Sequence, residues 1–242
     1  FTGEELLRKM TAIGFQCDFI HLEEGCSRIN IKMKDFDGTE INGQGPSVSP
    51  EAIRRLMTKL DRLKAGDILV LAGSIPESMP DSIYRDILAS LNGRDILYVV
   101  DATKSLLLNV LEYHPFLIKP NNHELGEIFN VTLTDREEVV PYGRKLQEMG
   151  ARNVLVSMAG KGAVLVAENG EVHMQPAPKG TLVNAVGAGD SMVAGFVAGW
   201  VQQQDYRHAF HMGVSAGSAS AFSDLLASKE EIYKIYHSIR QN

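Results

Sequence analysis

Three short runs with almost no polar face are spaced along the first two thirds of the chain. They span Asp67–Ala72, Ile96–Val100 and Asn153–Val156. A run that is apolar on both faces is typical of a parallel strand buried on both sides of its sheet. Helical patterns begin between these runs, near Pro80, Thr103 and Asn121. The alternation predicts an α/β fold, with a mostly parallel sheet covered by helices on both faces.

The pattern changes after Ser157. The segments Gly162–Ala167 and Glu171–Gln175 flank Asn169-Gly170, a dipeptide that strongly favours a short hairpin. The last third of the chain is helical. Its predicted helices begin at the glycine turn of residues 187–190 and then span Tyr206–Ala221 and Ser228–Ile239.

One short strand pattern differs from the others because one of its faces is wholly polar. In Ser27–Met33 three apolar side chains alternate with three polar ones: Ile29, Ile31 and Met33, and Arg28, Asn30 and Lys32. The residues alone leave two interpretations open, a solvated face or a face turned to a polar ligand. We expect one main domain over residues 1–242, with residues of about 15–45 forming an antiparallel β flap.

Composition narrows the class of protein. The 242 residues are 44% apolar and 22% charged, which is ordinary for a globular chain and unlike a disordered one. The formal net charge of −6 argues against a nucleic-acid partner, because binding a phosphate backbone needs a basic surface. No long apolar run and no secretory signal pattern is present, so we expect no membrane span. The two cysteines lack metal-ligand spacing, and a reducing cytoplasm is the expected location.

Polar residues follow the predicted strands at the places where each strand ends. Ligands of an open α/β sheet collect beyond the carboxyl ends of its parallel strands. These positions hold Gly73-Ser74, Asp101, Lys119-Pro120-Asn121 and Ser157. Ser74, Asp101 and Asn121 are each equally well explained as helix caps, but together the positions predict a ligand crevice.

The strongest candidate site is the run Gly187-Ala188-Gly189-Asp190, which directly precedes a long apolar helix. Glycines let the backbone turn tightly, and a helix start directs free N–H groups and partial positive charge at an anion. A phosphoryl group in transfer is such an anion. Asp190 would accept the proton of the attacking hydroxyl. On its own, a glycine-rich helix start is weak evidence of function.

A second glycine-bearing loop, Ser157–Gly162, follows a buried strand and suits the phosphates of a nucleotide. It is not a Walker loop, and no G-x-G-x-x-G opens the first β-α unit, which counts against a dinucleotide enzyme. Asn121 and Glu124 share one face of a helix start and could hold the water ligands of magnesium. Taken alone, Glu124 is better explained as a favourable first-turn charge.

Four motifs occur in the order found in the ribokinase-like, or PfkB, family of carbohydrate kinases. They are the GS-x-P turn, the KPN-x-x-EL run, the VS-x-x-G-x-G loop and the VGAGDS run. The chain resembles this family over nearly its whole length, most closely the bacterial branch that phosphorylates ketohexose monophosphates. The resemblance implies a three-layer αβα sandwich with a mostly parallel sheet and a small β flap, or lid. It also implies a kinase that needs ATP and Mg²⁺ and that converts fructose 1-phosphate to fructose 1,6-bisphosphate.

The resemblance assigns roles to individual residues. Asp190 would be the catalytic base, and the amides of Gly187, Ala188 and Gly189 would form the anion hole. The nucleotide would be bound by Lys119, Asn121, Glu124, Ser157, Gly160 and Gly162, with Glu124 reaching magnesium through water. The sugar phosphate would be bound by Arg28, Asn30, Ser74 and Asp190. Family members grip the substrate's phosphate at the Arg28 position, and they pair through the flap, which implies a homodimer.

Two departures from the family pattern stand out. This chain has Asp101-Ala102-Thr103-Lys104 where the branch usually has D-[ST]-S-G, so we expect either a loop that contacts the ligand differently or Thr103 as the substitute hydroxyl donor. Family members also carry an N-terminal segment with the first strands, a sugar-binding Asp and a G-G-K-G turn, and these do not occur in the present sequence. We expect either a piece of a longer enzyme, which we favour, or a fragment that does not turn over.

Other functions remain open at this point. A tagatose-6-phosphate kinase fits the same motifs, and so does a non-catalytic sensor of sugar phosphates with the same fold. The retained Asp190 and the two glycine loops favour the enzyme over the sensor. A nucleoside kinase is disfavoured by the Arg28 strand. A nicotinamide dehydrogenase is disfavoured because its glycines would come too late in the chain.

Overall fold

The computed structural model describes residues 1–32 and 40–240, which form two compact units. The first unit comprises residues 1–65 and 74–94, and the second comprises residues 66–73 and the chain from residue 95 onward. The first contains α1 (Thr2–Ala12), β1 (Asn30–Lys32), β2 (Glu40–Asn42), α2 (Pro50–Leu60) and α3 (Ile83–Leu91).

The second unit holds the main sheet and most of the helices. Its elements are β3 (Ile68–Ala72), β4 (Leu97–Asp101), α4 (Lys104–Leu108), β5 (Leu117–Ile118), α5 (Asn122–Phe129), α6 (Arg136–Glu148), β6 (Asn153–Ser157), β7 (Ala163–Val166), β8 (Val172–Gln175), α7 (Ala188–Gln203), α8 (Tyr206–Ala221) and α9 (Lys229–Arg240). Among the described residues the longest helices, α7 and α8, have 16 residues each, and no helix combines the length and apolar character needed to cross a bilayer.

The first unit contains a small antiparallel hairpin, in which Asn30 of β1 lies opposite Asn42 of β2 and Ile31 lies opposite Ile41. The strand predicted over Ser27–Met33 begins only at Asn30. Met33 and the other predicted flap residues up to position 39 lie outside the described residues. The proposed limits of the flap, about residues 15–45, stay a prediction.

The sheet of the second unit has its strands in the spatial order of the sequence, from β3 to β8. The strands β3, β4, β5 and β6 are parallel, whereas β7 and β8 are antiparallel to their neighbours. Residues 167–171 join β7 to β8, and Gly170 supplies the positive φ of 91° that this turn requires. The predicted mostly parallel sheet and its terminal hairpin are both confirmed.

Strand periodicity explains why helices cover both faces of this sheet. Leu155 and Leu165 lie opposite each other in β6 and β7 and are fully buried in a cluster with Phe196 of α7 and Phe210 of α8. The neighbouring pair, Val154 and Val166, points the other way and meets α6, where Gly143 leaves room for both valines. Alternate residues of each strand therefore face different helices, which produces a three-layer arrangement.

The prediction of burial was wrong for β3. This strand is at the edge of the sheet, and its central residue Val70 is 45% exposed. Its apolar sequence suggested cover on both faces, but an apolar run cannot by itself distinguish a central strand from an edge strand.

A network of polar and aromatic side chains lies where β6 begins. Arg152 donates two hydrogen bonds to Glu168, at 2.6 Å from Nε and 3.0 Å from Nη2, and the Tyr206 hydroxyl also donates to Glu168. The Trp200 ring stacks on Tyr206 with centroids 4.7 Å apart and lies 4.9 Å from the Phe116 ring. The network joins α7 and α8 to this end of the sheet.

Candidate active site

The carboxyl ends of the parallel strands bring most of the predicted polar positions together. Asp101 is the last residue of β4, and Lys119 follows β5 directly. Beyond them Asn121 and Ser157 form an isolated parallel bridge, in which the Ser157 amide donates to the Pro120 carbonyl at 3.2 Å. These four residues therefore line one edge of the second unit, as expected for an open α/β sheet.

A buried ion pair lies at the centre of this edge. Lys119 Nζ is 3.2 Å from Asp101 Oδ1, and the two side chains are only 8% and 18% exposed. Burial raises the pKa of Asp101 above its ordinary value, Lys119 opposes this shift, and the nearby carboxylates of Asp190 and Glu124 add to it. Asp101 thus feels two further carboxylates besides its single lysine partner, and such an excess of negative charge is suited to a cation.

The predicted start of α7 is confirmed. Gly187 caps the helix in the left-handed conformation, with φ of 77°, and Asp190 lies in the first turn. A Cβ on Gly189 would lie 3.3 Å from Lys119 Nζ, so this position brings the helix start close to the ion pair. First-turn amides have no partner within an α-helix. The Ala188 amide, however, donates to the Ala185 carbonyl at 3.2 Å, which leaves it less available for the predicted anion hole than Gly189.

Glu124 caps the start of α5, in line with the alternative explanation of its first-turn position. Its Oε2 accepts from the Asn121 amide at 2.8 Å, while Asn121 Oδ1 accepts from the Glu124 amide at 2.8 Å. This capping box fixes the start of α5. The part of the chain that the structure describes holds no group of three His, Cys, Asp or Glu side chains able to cage a metal. The arrangement fits Mg²⁺ held through water and phosphates, which is how this ion usually binds.

The second glycine loop is tightly closed. The Met158 amide donates to the Gly162 carbonyl at 2.8 Å, and residues Ala159–Lys161 form a single 3-10 turn. Gly162 has φ of 95°, and a Cβ there would lie 1.9 Å from the Gln175 carbonyl oxygen, so no other residue fits. Gly160 has open space around it instead, because nothing lies within 4 Å of its Cβ position. That opening suits the approach of a ligand.

An exposed apolar patch beside α7 was not expected from the sequence. Leu182, Val183, Leu225 and Leu226 are between 41% and 82% exposed, and they lie on two loops near the start of this helix, where Leu226 approaches Gly187. The loops are joined because Asn184 Nδ2 donates to the Asp224 carbonyl at 3.1 Å. Pairs of adjacent apolar residues in otherwise polar loops were the available signal. Such a patch suits a flat, apolar ligand face.

The first unit presents a separate cavity of about 750 Å³. Arg28 lines it and donates a hydrogen bond to the Ser74 hydroxyl, so these two predicted substrate residues are in contact. Asn30 is not part of the lining, whereas Asn42, which faces it across the hairpin, is. No sequence pattern singles out Asn42, because the pairing register of the hairpin cannot be read from it.

Comparisons with known proteins agree with this architecture. The family model described as pfkB family carbohydrate kinase matches residues 1–231. The chain is 45% identical to a 1-phosphofructokinase of Bacillus subtilis, over 99% of this chain and 78% of that protein. It is 32% identical to a D-tagatose-1-phosphate kinase of Bacillus licheniformis, over 92% of this chain and 73% of that protein.

Among solved structures, the chain is similar to phosphofructokinase-2 of Escherichia coli in complex with substrates and products. The TM-score is 0.89 at 23% identity, over 98% of this chain and 79% of that one. At this identity the likeness concerns the fold alone. The expected fold class, an α/β sandwich with a mostly parallel sheet, is confirmed.

Proposed function

The chain belongs to the pfkB family of carbohydrate kinases, and we propose that it phosphorylates fructose 1-phosphate with ATP to give fructose 1,6-bisphosphate. The observation that carries this proposal is the meeting of a first-turn aspartate, Asp190, with the buried Lys119–Asp101 pair at one sheet edge. The 45% identity to a protein named 1-phosphofructokinase supports the choice of substrate.

The chemical step follows from the side chains at this edge. The sugar hydroxyl oxygen forms a bond to the γ-phosphorus of ATP, the bond to the β–γ bridging oxygen breaks, and the hydroxyl proton passes to the Asp190 carboxylate. The Gly189 and Asp190 amides and the Lys119 ammonium stabilise the charge on the transferred group. Asp101 holds Lys119 in place before the nucleotide arrives.

Three further assignments concern the nucleotide. Ser157, Gly160 and Gly162 form the loop beside its phosphates, and Asn121 positions that loop through the bridge to Ser157. The apolar patch of Leu182, Val183, Leu225 and Leu226 receives the base. Glu124 would hold Mg²⁺ through water, and the ion would supply positive charge against the phosphates of ATP.

The first unit recognises the phosphate already present on the sugar. Arg28 binds it through its planar fork, and the Ser74 hydroxyl orients the guanidinium. Asn42 lines the same cavity and takes the part first expected of Asn30. A ketohexose phosphate of the tagatose series is the second candidate substrate, favoured by the 32% identity to a D-tagatose-1-phosphate kinase.

The exposed face of the hairpin supports pairing of two copies of this chain. Ile29, Ile31 and Ile41 are between 52% and 59% exposed, and the last two are directly opposite each other. A second hairpin would cover this apolar face. Ile31→Asp should therefore give monomers in sedimentation velocity, whereas Leu226→Asp should leave the dimer intact. An unchanged dimer with Ile31→Asp would contradict this interface.

A cytoplasmic location fits the free cysteines Cys17 and Cys26 and the need for ATP.

The direct test is ADP release with Mg²⁺·ATP and one sugar phosphate at a time. Fructose 1-phosphate, fructose 6-phosphate, tagatose 1-phosphate and tagatose 6-phosphate would be compared, with Asp190→Ala as the inactive control. We expect turnover to be fastest with fructose 1-phosphate and to vanish in the control. Binding of sugar phosphates without turnover on any of them would instead identify a sensor.

A further inference from the structure

Two residues at the start of α6 hold the second glycine loop from outside. Arg136 Nη1 donates to the Lys161 carbonyl oxygen at 2.6 Å. The Lys161 ammonium in turn lies 3.2 Å from Asp135 Oδ1. Both contacts converge on the same residue of the loop, one on its backbone and one on its side chain. We call this pair of contacts the α6 clasp.

The loop needs such a restraint because its backbone is in an unfavourable conformation. Ala159 has φ of 46°, in the left-handed region that residues with a Cβ seldom adopt, and Gly162 has φ of 95°. Conformations of this kind persist only where the surroundings hold them. Within the loop, the turn is closed by short-range hydrogen bonds between Met158 and Gly162 and between Lys161 and Met158. The clasp supplies a fixed point outside the loop.

The fixed point is firm because α6 is anchored at both its start and its middle. The amides of Thr134 and Asp135 donate to Glu138 Oε2 at 2.7 and 3.1 Å, which fixes the first turn. Further along, Gly143 packs against Val154 and Val166 of the sheet. Any displacement of the loop relative to the sheet must therefore stretch the clasp.

We propose that Arg136 is a positioning residue for nucleotide binding, and that Asp135 assists it by holding the Lys161 side chain. The inference rests on the proposed function, in which the loop lies beside the phosphates of ATP. It adds a prediction that the motifs do not contain: affinity for ATP depends on α6, whereas affinity for the sugar phosphate does not. The opening at Gly160 has the correct shape only while Ala159 keeps its left-handed conformation.

The matched control for Arg136 is on the same helix. Arg144 Nη2 donates to the Gly170 carbonyl at 2.7 Å, which is also an arginine contact to a loop carbonyl, but at the hairpin turn between β7 and β8. Arg136→Ala and Arg144→Ala therefore each remove one arginine contact to a loop carbonyl, and Arg144→Ala also removes a 3.4 Å hydrogen bond to Gln147 Oε1. Only the first contact involves the nucleotide loop.

The experiment measures ATP affinity in two independent ways, as the KM for ATP and as the Kd for Mg²⁺·ATP from titration calorimetry. We expect Arg136→Ala to raise both about tenfold, the effect of one lost hydrogen bond to a required conformation. The KM for fructose 1-phosphate and kcat should stay within about twofold. Arg144→Ala should leave all four quantities within about twofold.

A second variant keeps the test decisive if Arg136→Ala does not fold. Asp135→Asn retains a residue that caps helices well but removes the charge that faces Lys161. We expect a rise of about two- to threefold in the Kd for ATP at low salt, shrinking in concentrated salt because the pair is exposed.

Several outcomes would overturn the inference. One is an unchanged ATP affinity in both clasp variants, and another is equal losses in Arg136→Ala and Arg144→Ala. A parallel fall of kcat and of both affinities would show only a general structural role. If the wild-type protein binds ATP but phosphorylates none of the sugar phosphates, the proposed function fails while the calorimetric test of the clasp still stands.

Discussion

The two ends of the sheet in the second unit carry ion pairs of similar chemistry and opposite character. Where β6 begins, Glu168 receives two hydrogen bonds from Arg152 and a third from Tyr206. At the other end, Asp101 pairs with Lys119 in the presence of two further carboxylates. In the first network the charge of Glu168 is matched by its own hydrogen-bond donors, so we call it the balanced network. In the second, the carboxylates outnumber the single lysine.

The pKa shifts express this difference. Burial alone would raise the pKa of Glu168, but the hydrogen bonds from Arg152 and Tyr206 outweigh it, so the pKa lies below its ordinary value. For Asp101 burial prevails over Lys119, and the pKa lies above its ordinary value. A structural ion pair satisfies its charges internally, whereas a site for chemistry keeps charge uncompensated until its ligand binds. Amide substitutions at both ends would test this contrast.

The largest effect is expected at Asp190. Asp190→Asn keeps the size of the side chain but removes the proton acceptor, so kcat should fall by about 10³-fold. The melting temperature should change little, because asparagine has nearly the same size and shape as aspartate. Steady-state kinetics and calorimetric melting of the same preparation would check both. A variant with more than a tenth of wild-type kcat would show that Asp190 is not the base.

The next effect concerns the ion pair itself. Lys119→Met should lower kcat/KM for ATP by about 10²-fold, because a single cationic donor to the transferred phosphoryl group is lost. Asp101 would lose its partner, and its pKa would rise further. The kinetics would be measured beside Lys145→Met, which removes a lysine from the exposed surface of α6. Equal kinetics in the two variants would contradict the role of Lys119.

A smaller effect, on stability and not on activity, is expected at Glu168. Glu168→Gln should leave kcat/KM within about twofold but lower the free energy of unfolding by about 1 kcal/mol, since the pair is partly exposed. This corresponds to a fall of roughly 2–4 °C in the melting temperature. Denaturant titration would measure the change. A loss of activity at constant stability would contradict the assignment of the Glu168 end to structure and of the Asp101 end to chemistry.

The smallest effect is the pH dependence of stability, and it should have opposite signs at the two ends. The depressed pKa of Glu168 contributes stability that is present above its ordinary pKa and is lost as pH falls through the lowered value. The raised pKa of Asp101 works the other way, so stability is lost as pH rises from the ordinary value through the raised one.

Each group can contribute at most about 1.4 kcal/mol per pH unit. Between mildly acidic and neutral pH, unfolding titrations of Asp101→Asn should therefore show a more positive slope of stability against pH than the wild type. At lower pH, Glu168→Gln should show a less positive slope. Slopes that change in the same direction would refute the assignment of the two shifts.

Much of the fold could be predicted from short-range patterns. The helix over Tyr206–Ala221 was predicted with both its ends, because its apolar spacing is long and regular. The hairpin at Asn169-Gly170 and the helix start at Gly187 depend on backbone conformations that glycine favours, and these are readable in sequence. The edge position of β3 does not follow from the residues of the strand itself, since strand order is a property of the whole sheet.

The site was predictable in its parts but not in its pairings. Polar residues at strand ends identified Asp101 and Lys119 separately, but no local pattern shows that a charge at one strand end neutralises a charge at the next. The contact of Arg136 with Lys161 joins residues that are distant in sequence and is invisible for the same reason. That Asn42 and not Asn30 lines the Arg28 cavity depended on hairpin register, which polar alternation leaves undetermined.

The position of Trp200 gives the protein a built-in optical probe. It is the sole tryptophan of the chain, and its stacking on Tyr206 and its tilted contact with Phe116 place it beside the balanced network. Along α7 it is ten residues from Asp190, about 15 Å by helical rise. Its emission should thus shift when that end of the sheet loosens, yet stay constant while nucleotide is added. Tryptophan fluorescence would therefore distinguish a variant that has lost its fold from one that has lost only its activity.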